Sequence, residues 1–363
     1  LVTKILKIDC RKASLNYIME NKKILEEKIK NFNPNENGLF DHGIFGLPFN
    51  IEESELVLVP VPWEATVSYG SGASKGPKAI LDASQQIDLY DSIYQNGWKR
   101  GIAMLDIPTD MYYENMKVCK KTTDYLNGYL NNDKDEKLLE EINLDCLNLN
   151  KRIEDLTDNL LKDDKIVGIV GGDHSSPFGY FKSLAKKYKD YGILHIDAHS
   201  DLRCAYEGFN DSHASIFYNV LSIPNISKLV QVGIRDISEE EINTIKSEKG
   251  RVVLYTDYEI KNDIYKGKTW SKKCDEIIKN LPKNVYISFD IDGLEPSLCP
   301  NTGTPVPGGF KIEEITFLLE KIIISGRKII GFDLCEIGKG EWDGNVGARV
   351  LYKLCMLTLK SQK

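Results

Sequence analysis

The segment His195-Ile196-Asp197-Ala198-His199-Ser200-Asp201 follows an apolar run, Tyr191-Gly192-Ile193-Leu194, that reads as the end of a buried strand. Asp197, His199 and Asp201 occupy alternate positions. Alternate residues of an extended segment point to the same side. Two carboxylates and an imidazole can therefore converge just past a strand end, where open parallel sheets place their ligands.

Two further clusters have the same form. Ile166-Val167-Gly168-Ile169-Val170 runs into Gly171-Gly172-Asp173-His174-Ser175, and Val285-Tyr286-Ile287-Ser288-Phe289 runs into Asp290-Ile291-Asp292-Gly293. Taken singly, each is ordinary, because Asp favours caps and turns and a single strand-end His is usually structural. Three such ends on parallel neighbours would meet along one edge and form a site. Of the five histidines, four lie between His174 and His213, and the fifth is His42. That crowding favours a site over scattered core histidines.

Working outward, five more apolar runs read as strands: Leu56 to Pro60, Ile102 to Leu105, Leu229 to Gly233, Val252 to Tyr255 and Ile329 to Asp333. Helix-length segments separate most of them. Between residues 111 and 163, Leu149, Ile153, Leu156 and Leu160 recur at helical spacing, and residues 131–137 read as a polar loop. Eight strands alternating with helices predict an α/β fold, a three-layer α/β/α sandwich around a mainly parallel sheet. Residues 1–52 read as an N-terminal extension, with helical spacing from Ala13 to Phe32 and a loop from Asn33 to Gly38. Residues 53–363 read as one catalytic domain. Pro62 to Ala73 is glycine-rich but matches neither a P-loop nor a dinucleotide fingerprint. Gly76-Pro77 then reads as a helix start.

The net charge of −7 gives no support to nucleic-acid binding, which leaves a basic footprint. No apolar run is long enough to span a bilayer. Residues 1–7 lack the long apolar region of a signal peptide, so a cytoplasmic location is expected. The eight cysteines form no C-x-x-C pair, which argues against a zinc knuckle or disulfide framework. Cys204 and Cys335 lie near the candidate site, but no histidine stands beside either in a nucleophile pattern.

Asp197, Asp201, Asp290 and Asp292 gathered at one site carry a formal charge of −4, one from each. Such carboxylates must either take up protons or bind cations. Two divalent cations cancel the charge, and His174 and His199 add a nitrogen donor for each. Oxygen-rich ligation with imidazole and no thiolate suits Mn2+ better than structural Zn2+, with Ni2+ or Co2+ also open. Two ions roughly 3.5–4 Å apart would share and activate a water. The expected chemistry is metal-assisted hydrolysis of a polar carbon centre.

These motifs together resemble the ureohydrolases: arginase, agmatinase and their relatives. The matching segments are Gly171-Gly172-Asp173-His174-Ser175, Asp197-Ala198-His199-Ser200-Asp201 and Ser288-Phe289-Asp290-Ile291-Asp292. Gly76-Pro77, Ala79-Ile80, Gly303-Thr304-Pro305 and Gly308-Gly309 match as well, so the resemblance spans roughly residues 55 to 357. It implies an arginase-like fold, two Mn2+ ions and hydrolysis of a small guanidino-group substrate. By motif, His174, Asp197, Asp201 and Asp292 would hold one ion, and Asp197, His199, Asp290 and Asp292 the other. Asp197 and Asp292 would bridge. His213 would handle protons and Glu336 would grip the guanidinium, with Asp201 beside them. The family also implies a homo-oligomer, a trimer or hexamer.

The substrate is less constrained. Asp201-Leu202-Arg203 is similar to a segment of formimidoylglutamases, where Arg203 could clamp a carboxylate; Arg203 equally suits a structural ion pair. His213 argues against that branch. Ala214-Ser215-Ile216 and the segment Gly340 to Arg349 look similar to an agmatinase-like branch that includes hydrolases of free guanidine, and Tyr206 and Trp342 could close a small pocket. The expectation is an agmatinase-type enzyme, with hydrolysis of guanidine, guanidinobutyrate, arginine or formimidoylglutamate as alternatives. A deacetylase-like protein or a non-catalytic metal-binding scaffold are alternatives of a different class.

Overall fold

The computed structural model describes residues 23–36, 43–67, 70–131 and 134–363. The remaining parts of the extension and of two loops, including His42, Ser68 and Tyr69, lie outside them. Eight strands form one sheet: β1 (Leu56–Val61), β2 (Ile102–Met104), β3 (Ile166–Gly171), β4 (Tyr191–Ile196), β5 (Ile226–Ile234), β6 (Val252–Thr256), β7 (Asn284–Asp290) and β8 (Lys328–Cys335). Their order is β2-β1-β3-β8-β7-β4-β5-β6, and every pairing is parallel. All eight expected strands are present. The parallel order follows from their Val, Ile and Leu content, which suits strands buried on both faces.

Helices cover both faces. One core joins Leu194, Ile196, Ile287 and Phe332 to α1 (Gly76–Ser84) and to the later helices, among them α9 (Ile312–Ile324) and α10 (Glu341–Lys360). The other joins Val57, Ile169, Ile193 and Tyr286 to α2 (Thr109–Leu130), α3 (Glu136–Lys162), α4 (Phe178–Lys187) and α5 (Ile216–Val220). Within α3, Leu149, Ile153 and Leu160 are buried and Leu156 packs at the margin, as their spacing requires. Pro77 sits in the first turn of α1. α6 (Glu239–Ser247), α7 (Asp257–Tyr265) and α8 (Trp270–Lys279) complete the set.

Residues 23–31 are helical. Leu25, Ile29 and Phe32 pack on the first core, and Ile44, Phe45, Leu47 and Phe49 lie within it. A boundary at residue 52 therefore separates segments by motif content but not by packing.

The order β3-β8-β7-β4 puts the four C-terminal ends that carry His174, Glu336, Asp290 and Asp197 side by side. That is the edge on which the site is built.

Candidate metal centre and active site

Each strand end delivers its candidate ligand through a tied loop. After β3, Gly172 passes so close to Trp63 that a Cβ would meet its backbone, which turns the chain and presents His174. After β4, Asp197 Oδ1 accepts the His199 backbone N–H at 2.6 Å. Asp292 Oδ1 accepts the Ala198 N–H at 3.0 Å, and Asp290 Oδ1 accepts the Asp292 N–H at 2.8 Å. Gly293 makes room here, since a Cβ would lie 2.9 Å from the Asp197 nitrogen. The carboxylates are thus aimed by backbone donors before any ligand is considered.

Two groups result. His174 Nδ1 lies 3.0 Å from Asp197 Oδ2, 3.2 Å from Asp201 Oδ2 and 3.3 Å from Asp290 Oδ2. His199 Nδ1 lies 3.1 Å from Asp292 Oδ2 and 3.5 Å from Asp197 Oδ1. Asp197 is shared, one oxygen to each group. The partition of the third-motif carboxylates differs from the one that the resemblance implies: Asp290 faces His174, and Asp292 faces His199. The local cause is the short turn Ile291–Gly293, which separates the two carboxylates along the edge.

The electrostatics fit a cation site. Burial opposes charge on His174, but Asp197, Asp201 and Asp290 outweigh it and lift its pKa well above the usual imidazole value. Burial likewise opposes charge on His199, and Asp292 with Asp197 lifts it to about 12. Burial, then Asp197, pushes the Asp201 carboxyl up to about 7. Burial, then Asp292 and Asp197, pushes Asp290 well above its ordinary value. Asp197 goes the other way: burial is outweighed by His195, His174 and His199, which hold it well below. Protons are thus distributed over the cluster to balance four carboxylates, the charge pattern that divalent cations satisfy directly. Among the described residues three sets of side chains have donor atoms close enough to hold an ion, His174–His195–Asp197–Asp201, Asp197–His199–Asp292 and His174–Asp333–Cys335.

Two site residues are held in an uncommon backbone conformation, Asp201 at φ 54° and Glu336 at φ 63°. Such left-handed geometry costs about 1–3 kcal/mol for a non-glycine residue and clusters at functional sites. Here tertiary contacts hold it. The Asp201 carbonyl accepts the Phe217 N–H at 3.0 Å, and the Glu336 N–H donates to the Gly172 carbonyl at 2.8 Å. Thr302 Oγ1 donates to the Glu336 carbonyl at 2.8 Å. Glu336 Oε1 accepts the His174 N–H at 3.0 Å, while the carboxylate lines the cavity. Burial, then Asp173, raises its pKa well above the ordinary value, so a cationic partner in the cavity favours its charged form.

The cavity measures about 220 Å3; its floor carries His174, His199, Asp201, Asp290 and Glu336, with His213 beside them. His213 Nδ1 is enclosed and has no hydrogen-bond partner. Burial, then the charges of His199 and His174, lowers its pKa to about 4, so it is neutral near pH 7. Arg203, Tyr206, Asp236 and Thr304 form the rim. The Arg203 guanidinium stacks 4.9 Å over the Tyr206 ring and reaches Glu241 only at 3.9 Å. A larger cavity of about 800 Å3 opens beside β1 and β2, but no acid–base cluster converges there.

Trp342 does not close the pocket. It is 53% exposed and donates from Nε1 to the Ser297 carbonyl at 3.1 Å. Cys335 is buried, and burial raises its thiol pKa well above the ordinary value, which disfavours a nucleophilic thiolate. The motifs did not single out Gln231, Ser288 or Asp333, all buried around the cluster. The signal was present: each is a polar residue inside an apolar strand.

Comparison with known proteins agrees with this geometry. The family model described as Arginase family matches residues 54–339. An N(1)-aminopropylagmatine ureohydrolase of Thermus thermophilus is 30% identical over 301 residues, which is 83% of this chain and 88% of that protein. An agmatinase of Halalkalibacterium halodurans is 28% identical, covering 82% and 90%. The crystal structure of agmatine ureohydrolase of Thermoplasma volcanium superposes with a TM-score of 0.67 at 23% identity, over 92% of this chain and 98% of that one; this likeness speaks for the fold. With three metal-type clusters on adjacent ends of a parallel sheet and a family match across most of its length, the chain belongs to the arginase family, the ureohydrolases that act on guanidino compounds.

Proposed function

We propose that this protein is an agmatinase-type ureohydrolase that converts agmatine to putrescine and urea on two Mn2+ ions. The observation that carries it is the pair of donor groups that share buried Asp197 and reach the floor of the cavity through His174, His199, Asp201 and Asp290, beside Glu336. His174, Asp197, Asp201 and Asp290 would hold one ion, and Asp197, His199 and Asp292 the other. Two such ions supply Lewis acidity for activating water and the positive charge that offsets the carboxylates.

The chain's own residues do the rest. Glu336 orients the guanidinium by a charge-assisted pair. Neutral His213 accepts the proton that water gives up on adding to the guanidinium carbon and returns it to the departing amine. At the rim, the Asp236 carboxylate makes no hydrogen bond or ion pair among the described residues, so it can face the distal ammonium of agmatine. Names of relatives support the same substrate class. A second reading is favoured by Arg203, whose guanidinium makes no hydrogen bond among the described residues: a guanidino compound with a distal carboxylate. A homo-oligomer and a cytoplasmic location complete the proposal. Among the described residues, no helix is long and apolar enough to cross a membrane.

The test is urea release by Mn2+- or Ni2+-loaded protein from agmatine, arginine, 4-guanidinobutyrate and guanidine, and formamide release from formimidoylglutamate, with ammonia measured alongside. Agmatine is expected to give the highest kcat/KM. A carboxylate-tailed winner would replace agmatine and make Arg203 its clamp. Silence on all five with metal bound would contradict the enzyme proposal for this set.

A further inference from the structure

Four polar side chains cross the sheet at one level, directly beneath the ligands. Gln231 of β5 pairs in register with His195 of β4, His195 with Ser288 of β7, and Ser288 with Asp333 of β8. Each is 0% exposed, in strands that are otherwise mostly apolar. Phe217 of α5 covers His195, their rings 3.9 Å apart. Burying such a row is costly unless its members are paired, and the pairing here has a direction that can be worked out atom by atom.

Gln231 Nε2 lies 2.7 Å from the Ser200 backbone carbonyl. A carbonyl only accepts, so this end of the amide is the NH2 group. The same group lies 3.0 Å from His195 Nδ1. Nδ1 therefore accepts, the ring proton sits on Nε2, and Nε2–H donates to Asp197 Oδ2 at 2.7 Å. At the other end, Ser288 Oγ donates to Asp333 Oδ2 at 2.7 Å and so accepts from His174 Nε2 at 2.9 Å. His174 also carries a proton on Nε2, and its Nδ1 faces Asp197, Asp201 and Asp290. Both histidines carry a proton on Nε2, but they present opposite atoms to the site.

We infer that this row is an orienting layer for the metal centre: His195 is a fixed hydrogen-bond donor to Asp197 and not a ligand, and Ser288 with Asp333 fixes His174 to bind through Nδ1. The rival is real, since His195 lies within ligating distance of the same donors. Ligation through Nε2 would require the proton on Nδ1, where it would point at the Gln231 NH2 group. The layer also explains how Asp197 can serve both donor groups. Its Oδ2 takes the His195 N–H and its Oδ1 takes the His199 N–H, so each oxygen keeps a further lone pair for an ion. Partners of this kind typically set metal affinity by 10–100-fold. The inference rests on the proposed ligand roles of Asp197 and His174.

Nitrogen-15 NMR of the histidine-labelled full chain, with and without Zn2+ as a diamagnetic probe, tests it. His195 is expected to show a proton on Nε2 in both states, while the Nδ1 signal of His174 moves on adding Zn2+. A His195 Nε2 that loses its proton and shifts on metal addition would overturn the inference. Mn2+ titration of variants gives an independent check. His195→Phe keeps the packing on Phe217 but removes the donor, and its Kd should rise about 10–100-fold. His195→Gln places an amide NH2 where Nε2 stood and should recover most of that loss. Wild-type affinity in His195→Phe, or equal weakness in His195→Gln, would contradict the positioning role. Absent urea release with these tautomers and affinities intact would contradict the proposed function alone.

Discussion

On the floor of the cavity the side chains hold one another. Asp197 takes hydrogen bonds on both oxygens, Asp290 and Asp292 accept neighbouring backbone N–H groups, and Glu336 accepts from His174. At the rim, Arg203 makes a stack and one long ion pair, and the Asp236 carboxylate has no partner among the described residues. A set of carboxylates pinned before the reaction provides electrostatic preorganisation, and donors that need not move lose nothing when charge develops. Exposed, loosely held groups are worth little to stability but can select what enters. In the proposed function the floor would carry the chemistry, and the rim would choose among guanidino compounds.

The largest contrast comes from Asp197→Ala, which removes the residue shared by both donor groups. Metal content, measured after dialysis, should collapse together with urea release. A variant that keeps both ions would show that the floor is not organised around Asp197. His213→Ala comes next. It should retain metal and lose turnover by about 10²–10⁴, the usual worth of a positioned acid–base group. A fully active variant would remove His213 from the proton path.

The third prediction concerns pH. In the ion-free protein the Asp201 carboxyl is lifted to about 7 and Asp290 is raised too. Binding a cation must expel those protons. Mn2+ affinity should therefore climb as pH rises through about 7 and weaken below it, with proton release visible as a buffer-dependent heat. Affinity that is flat between pH 6 and 8 would contradict the raised carboxyls. The smallest effect belongs to the rim. Arg203→Ala should leave kcat unchanged and alter KM for a carboxylate-tailed substrate by about fivefold, as for an exposed pair worth ~1 kcal/mol. A large fall in kcat would move Arg203 from rim to floor.

The floor was the more legible region in the sequence. A carboxylate or imidazole placed directly after an apolar run marks a strand end whatever the neighbours are, so His174, Asp197, His199, Asp201, Asp290 and Asp292 could all be named without a fold. The eight strands were legible for the same reason. What the chain does not display is register. That Gln231, His195, Ser288 and Asp333 stand in one row depends on pairings between strands far apart in sequence. The division of Asp290 and Asp292 between His174 and His199 depends on a three-residue turn. Trp342 is a candidate for the pocket through the likeness of the segment Gly340 to Arg349 to a branch that includes hydrolases of free guanidine, but the start of α10 turns it outward to Ser297. Local pattern locates candidate ligands; it does not locate what long-range packing brings to them.

The most direct measurement is Mn2+ bound per chain and urea formed from agmatine, determined on the same sample as metal is added back to chelator-treated protein. Urea formation, with matching putrescine, should be absent in the stripped protein and should rise as two ions per chain are restored. Two bound ions with no urea from agmatine or any other guanidino compound would contradict the claim that this floor is a hydrolytic centre.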